Sequence, residues 1–288
     1  MSKVLIATEK PFAAPAVAGI KQILSEAGFD VVLLEKYTAK SELLAAVADV
    51  DAIIIRSDII DKEVFDAARQ LKIVVRAGAG YDNVDLEAAT AHGVCVMNTP
   101  GQNANAVAEL VFALLLFSVR NRFNGTSGTE LKDKKLGLLA YGNTGRNVAR
   151  IAKGIGMDIY AYDPFTPAEV IEKEGVHAVA SQKELFSTCD VVSLHIPATP
   201  ETKGSIGREL VSLLPKKAIL VNTARKEIIN EPELIALLKE REDLRYLADI
   251  RPAAHEEFEA AAGERYFSTP KKMGAQTAEA NTNAGLAA

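Results

Sequence analysis

Residues 134–164 read KKLGLLAYGNTGRNVARIAKGIGMDIYAYDP, the segment whose residue types and spacing point most sharply to chemistry. An apolar run enters Ala140-Tyr141-Gly142-Asn143-Thr144-Gly145, a helical pattern follows, and a second apolar run ends at Asp163. A strand–loop–helix–strand unit of this kind suits a dinucleotide. Gly142 would let a pyrophosphate approach the backbone, and Gly145 would let the helix pack closely on the strand. The N–H groups at the helix start, from Asn143, Thr144 and Gly145, would hold phosphate oxygens with help from the helix dipole. Asp163 follows Gly145 by 18 residues. There its carboxylate would accept hydrogen bonds from ribose hydroxyls and repel a 2′-phosphate, which favours NAD over NADP. The first glycine position of the pattern holds Ala140, which fits only if its φ stays negative. Without a ligand, the same glycines would still make a tight strand–turn–helix junction.

Other reactive side chains are sparse. Cys95 and Cys189 each border an apolar run, which predicts two buried thiols. No Cys/His cluster has the spacing of metal ligands, so no metal is expected. The formal charge of -5 argues against a general nucleic-acid binder. An anionic ligand would need Arg or Lys residues gathered locally. The chain starts MSKVLIATEK, a strand without a signal-peptide layout. Its longest apolar run, Ala106–Val119, is interrupted by Glu109 and is short for a bilayer, so it reads as a buried helix. A cytoplasmic protein that meets neither membrane nor nucleic acid is the expectation.

The elements that must position this chemistry alternate from end to end. Strands are expected at 3–8, 30–35, 51–57, 72–78, 94–99, 135–142, 158–164, 190–197, 218–225 and 246–250. Nearly all are continuous apolar runs, the mark of strands buried on both faces. Helical spacing separates them, as at 16–28 and 147–156. Repeated βα units imply parallel sheets with helices on both sides, an α/β class of two doubly wound domains. Breaks fall near 99–105 and in the Gly/Thr/Ser-rich 123–133. Residues 1–98 therefore form one domain and 99–276 the other, with a final helix at 277–288 placed to return to the first.

Further motifs stand in order: RAGAGYDNVDLEAATAHGVCVMNTP (76–100), NANAVAEL (103–110), HIPATPETKG (195–204), VNTAR (221–225), LADI (247–250) and TPKKMGAQTAEA (269–280). With the glycine loop, this series strongly resembles the D-isomer-specific 2-hydroxyacid dehydrogenases across nearly the whole chain. The resemblance implies a flavodoxin-like substrate-binding domain (1–98 and 277–288) and an inserted Rossmann NAD-binding domain (99–276), with the active site in the cleft. It implies hydride transfer between NAD and a small anionic 2-hydroxy or 2-keto acid. The expected reaction is oxidation of D-3-phosphoglycerate to 3-phosphohydroxypyruvate, in serine biosynthesis. Alternatives are reduction of hydroxypyruvate or glyoxylate, and a non-catalytic NAD-sensing role. Carried over by motif, Arg225 is the catalytic arginine, its guanidinium fork holding the substrate carboxylate and keto oxygen. Asp249 meets the nicotinamide end, and Pro197, Thr202 and Thr223 line the cofactor. Arg56 and the backbone of Ala77, Gly78, Ala79 and Gly80 grip the carboxylate or phosphate. His195 is structural or lines the cofactor cleft, and is not the base. The helix near 103–120 and its flanking loops form a homodimer contact.

The sequence departs from the family where a catalytic His is usual. A TPHIG-like segment reads Thr269-Pro270-Lys271-Lys272-Met273-Gly274. Matched from GAQT it puts Lys272 at the His position; matched from TP it puts Lys271 there. A family form with Lys in place of His makes either lysine a candidate acid and base. A lysine acting as base near neutrality must be lowered from about 10.4 by burial or nearby cations. On a strand, only one of two neighbours would face the cleft. The family's Glu, expected a few residues after the LADI aspartate, lands on Ala254. Glu256 or Glu257 would serve only with a shifted loop. Losing Glu together with His is coherent, because a lysine has no tautomer to fix. His255 is an alternative base, ranked lower because a surface helix is expected to begin there.

Overall fold

The computed structural model of the chain describes residues 2–288. In order, the elements are β1 (Lys3–Thr8), α1 (Ala14–Glu26), β2 (Asp30–Glu35), α2 (Lys40–Val47), β3 (Ala52–Ile55), α3 (Lys62–Ala67), β4 (Ile73–Arg76), α4 (Leu86–Ala91), β5 (Cys95–Asn98) and α5 (Ala104–Val119). They continue with β6 (Lys135–Leu139), α6 (Asn143–Ile155), β7 (Asp158–Tyr162), α7 (Ala168–Lys173), β8 (His177–Ala178), α8 (Gln182–Thr188), β9 (Val191–Leu194) and α9 (Arg208–Val211). The remainder is β10 (Ile219–Asn222), α10 (Glu231–Glu240), β11 (Arg245–Ala248), α11 (His255–Ala262), β12 (Tyr266–Ser268) and α12 (Ala278–Leu286). They fall into two units, one running to Asn103 and resuming at Gln276, the other Ala104–Ala275.

The first unit holds a parallel five-stranded sheet in the order β2-β1-β3-β4-β5. That is the flavodoxin-like doubly wound order. Its apolar runs are continuous because both faces are covered. Leu5 and Ala7 join one core with Leu43, Ile53, Val64 and Phe65. Val4 and Ile6 join a second with Phe12, Ala16, Ile20 and Ala284. Alternate side chains of one strand thus serve opposite faces. The edges depart from the expectation of full burial: every residue of β2 and β5 is at least partly exposed. An edge strand has one neighbour and less cover. Cys95, on the β5 edge, is exposed rather than buried. α12 closes the unit against α1. A Cβ on Gly19 would lie 2.5 Å from Leu286, and one on Gly285 would lie 3.2 Å from Ile20.

The second unit holds a parallel seven-stranded sheet, β12-β11-β10-β9-β6-β7-β8. Counted from β6, this is the Rossmann order with one strand added at an edge. Leu139, Val192, Leu194 and Leu220 face one core with Phe186 and Leu234. Leu136, Leu138, Val191 and Val221 face the other with Val111, Leu115 and Val148. Ten strands are expected from the sequence, and the described residues form twelve. The two additional strands, β8 and β12, are edge strands of two and three residues. Cys189 is buried, and burial pushes its thiol up to about 12. Its Sγ lies 2.9 Å from where a Cβ on Gly137 would stand, so only glycine fits on β6 there.

Candidate active site

Parallel strands present their carboxyl ends along one edge of a sheet, where ligands of doubly wound folds bind. In the second unit, that edge carries the glycine loop, the cofactor candidates, the arginine and the lysines. Ala140–Gly145 follow β6, Asp163 follows β7, Pro197 and Thr202 follow β9, Thr223 and Arg225 follow β10, Asp249 follows β11, and the two lysines follow β12.

The glycine loop is pinned by hydrogen bonds to β7. The Ala140 amide donates to the Tyr162 carbonyl (2.9 Å). Tyr141 N–H donates to Asp163 Oδ2 (2.7 Å) and Phe165 N–H to Asp163 Oδ1 (2.8 Å). These bonds turn Ala140 to φ +81°, so the expected negative φ is corrected. Gly145 packs so closely that a Cβ there would lie 2.5 Å from the Ala140 carbonyl oxygen. Around Gly142 a Cβ would meet nothing within 4 Å, which leaves open space over the backbone. No side chain caps α6. Its first-turn amides, those of Asn143, Thr144 and Gly145, therefore lie beyond the reach of intrahelical acceptors. Open approach and an uncapped helix start fit a pyrophosphate. Arg146 pairs with Glu174 and stands 4.9 Å over the Tyr141 ring, while Tyr141 Oη donates to Glu174 Oε2 (2.9 Å).

Three enclosed polar atoms near these strand ends lack partners among the described residues: Ser193 Oγ, His195 Nε2 and Thr223 Oγ1. Thr223, 3% exposed, is suited to a ligand hydrogen bond. Desolvation pushes His195 down to about 4, so its ring is neutral at pH 7. Thr202 folds back on its own turn, donating to the Pro197 carbonyl (2.5 Å) and accepting from Thr199 N–H (2.8 Å).

Arg225 and Lys272 meet on one atom. Arg225 Nη1 donates to the Ala224 carbonyl at 3.1 Å, and Lys272 Nζ donates to the same oxygen at 2.7 Å. Lys272 is half-buried and Lys271 exposed. The lysines lie in a turn after β12 rather than on a strand, which corrects the strand argument. Buried Asn222 shapes the arginine's turn: its Oδ1 accepts from Ala224 N–H (3.0 Å) and its Nδ2 donates to the Arg225 carbonyl (2.9 Å). Asp249, 1% exposed, accepts from Thr269 Oγ1 (2.8 Å), Met273 N–H (2.7 Å) and Gly274 N–H (2.8 Å). In this structure the carboxylate is thus engaged by the turn that bears the lysines.

The alternative groups lie elsewhere. Glu256 and Glu257 are exposed in the first turn of α11. His255 begins that helix, but its side chain is only 15% exposed. Its Nδ1 meets Tyr266 Oη (2.9 Å) and its Nε2 meets Glu259 (3.2 Å), so it is a packed residue with both nitrogens engaged.

In the first unit, Arg56 is held by its own frame. Nη1 donates to the Lys10 (3.2 Å) and Pro11 (2.9 Å) carbonyls, and Nη2 to Asn281 Oδ1 (2.5 Å). The guanidinium also stands 5.4 Å over Phe12. Ala77–Gly80 form the turn after β4. Ala77 N–H donates to Ile55 O (2.8 Å), Gly78 O accepts from Thr99 N–H (2.9 Å), and Ala79 O accepts from Asn98 Nδ2 (2.7 Å). Gly78, at φ +146°, has no room for a Cβ beside the Arg76 guanidinium. The sequence does not mark Asn222 or Thr269 as part of the site. The one available signal was a small polar residue at each strand's carboxyl end.

Comparison with known proteins bears on this edge directly. Residues 116–270 match the family model described as "D-isomer specific 2-hydroxyacid dehydrogenase, NAD binding domain". The chain is 38% identical over 268 residues to D-3-phosphoglycerate dehydrogenase of Methanocaldococcus jannaschii, covering 85% of this chain and 50% of that one. It is 36% identical over 219 residues to hydroxypyruvate reductase of Thermotoga maritima, covering 71% and 70%. The chain spans about half the length of the first curated relatives it matches. Among solved structures, NAD+-bound 3-phosphoglycerate dehydrogenase of Entamoeba histolytica superposes with a TM-score of 0.90 at 49% identity, covering 99% of this chain and 92% of that one.

Proposed function

Because the chain belongs to the D-isomer specific 2-hydroxyacid dehydrogenase family, we propose that it oxidises D-3-phosphoglycerate to 3-phosphohydroxypyruvate with NAD. The observation that carries the reading is the meeting of Arg225 and Lys272 on the Ala224 carbonyl. A guanidinium bears five donors in a fixed fork, enough to bond that carbonyl and a substrate carboxylate together. The lysine beside it, as the neutral amine, takes the hydroxyl proton as the C2 carbonyl forms, and as the ammonium returns it in the reverse direction. NAD, when bound, accepts the hydride from C2. Asn143, Thr144 and Gly145 hold its pyrophosphate at the start of α6, Gly142 lets it approach, Asp163 takes the adenosine ribose, and Thr223, Asp249, Pro197 and Thr202 line its path. We assign the substrate domain to the first unit, with the backbone of Ala77–Gly80 for the substrate's anionic groups and Arg56 as their support. The NAD domain is the second unit. Lys271 remains the alternative acid–base, disfavoured by its exposure.

We place the protein in the cytoplasm as a homodimer. Leu116 on α5 and Phe123 just beyond it stand 43% and 69% exposed, apolar surface suited to a partner copy. No helix of the described residues is long and apolar enough to cross a membrane.

A second reading, reduction of hydroxypyruvate, is favoured by the similarity to the reductase named above, which the chain covers more fully than it does the first dehydrogenases. The test is NADH oxidation with 3-phosphohydroxypyruvate, hydroxypyruvate and glyoxylate. Preference for the phosphorylated acid supports the proposal. Turnover of the other two alone moves the protein to the reductases, and NADH binding without turnover makes it a sensor.

A further inference from the structure

We propose that Asp249 is a positioning residue that holds Lys272 in place through the Thr269–Gly274 turn, a role separate from any contact with the cofactor. The inference rests on the assignment of Lys272 as the acid–base group. A buried carboxylate has about four lone-pair positions, and the turn fills three of them. Thr269 Oγ1 fastens the turn before the lysine (2.8 Å), and the amides of Met273 (2.7 Å) and Gly274 (2.8 Å) fasten it immediately after. The turn has no strand or helix of its own. These bonds therefore decide where the lysine's backbone lies. Two further features show how closely the corner is built. A Cβ on Gly274 would stand 2.9 Å from Asp249 Oδ2, so the carboxylate fits only against a glycine. Ile250, a β-branched residue, is turned to φ +115°, and its amide donates to Thr269 Oγ1 (2.9 Å). A β-branched side chain adopts that conformation only where its surroundings impose it. The lysine held this way reaches the Ala224 carbonyl (2.7 Å), beside Arg225. A displacement of about 1 Å at such a group costs on the order of a hundredfold in rate.

The test combines kinetics with amide hydrogen exchange on Asp249→Asn, Thr269→Val, Lys272→Ala and the Asp249→Asn/Lys272→Ala pair. An amide at position 249 keeps the volume but offers only one acceptor oxygen. Asp249→Asn should lower kcat at least tenfold and speed exchange at Met273 and Gly274. Thr269→Val should show the same pattern more weakly, and it serves if the first variant fails to fold. On the Lys272→Ala background, Asp249→Asn should cost kcat at least fivefold less than it does with Lys272 in place, because the positioning part of its effect runs through the lysine. Unchanged exchange at Met273 and Gly274, or a full multiplicative loss in the pair, would overturn the inference while leaving the lysine's role intact. Full activity of Lys272→Ala would remove the lysine from the chemistry, and the positioning role with it.

Discussion

At the scale of single residues, the second unit's chemistry depends on backbone conformations that side-chain types only partly announce. The spacing of Gly142, Gly145 and Asp163 is legible in the sequence, but the φ of Ala140 is not. It is set by hydrogen bonds to Tyr162 and by the approach of Gly145, both tertiary facts. An L-residue in the left-handed region costs about 1–2 kcal/mol, and glycine's extra chain entropy offsets roughly half of that. Ala140→Gly should therefore stabilise the protein by about 0.5–1 kcal/mol in urea unfolding. Gly145→Ala should destabilise it by more than about 2 kcal/mol and abolish NADH fluorescence enhancement, since backbone oxygen stands in the new methyl's place. Asp163→Ala carries two effects. It removes the charge that would repel a 2′-phosphate and frees the Tyr141 and Phe165 amides. NADPH should gain on NADH by at least tenfold while affinity for both falls; unchanged selectivity would return Asp163 to a purely structural part. His195 gives a pH signature. Its folded value near 4 lies below the unfolded 6.5, so the unfolded chain binds the extra proton between them. The stability from keeping the ring neutral is present above pH 6.5 and is lost as pH falls toward 4, by roughly 2–3 kcal/mol. His195→Gln should flatten that part of the acid limb by the same amount in denaturant titrations at stepped pH.

At the scale of elements, legibility follows length and burial. β1, β6 and β9 are continuous apolar runs because both faces are covered, and such runs declare themselves. β8 and β12, of two and three residues, are too short to carry a period. They exist because a neighbouring edge offers them hydrogen bonds. The clamps by Asn222 and Thr269 are hidden for a related reason: each works across a turn or between strands, on groups whose proximity only the fold creates. Helix packing at α1 and α12 is similarly a matter of fit. Gly285 faces Ile20 and Phe12 at 3.2–3.3 Å from where a Cβ would stand. Gly285→Leu should separate the two helices and cost about 1–3 kcal/mol, seen as faster amide exchange throughout α12. Unaltered exchange would mean the contact is softer than its geometry.

At the scale of the whole chain, the two units differ in how they are encoded. The second is one continuous segment with a core on each face of its sheet. Residues 104–275 expressed alone should therefore fold and bind NADH, with cooperative urea unfolding as the check; a molten product would show that its cores are insufficient by themselves. The first unit is drawn from two segments, and α12 supplies Ala280 and Ala284 to its interior. Arg56 binds that helix to the start of the chain through Asn281. This arrangement bears on how the protein is made. While the ribosome works through Ala104–Ala275, the flavodoxin-like sheet waits unfinished, one face lacking its last helix. At about 5–20 residues per second the wait is roughly ten to thirty seconds. During it, Val4, Ile6 and Ile20 lack part of their cover, so nascent chains paused before Gln276 are the ones a chaperone should meet most often.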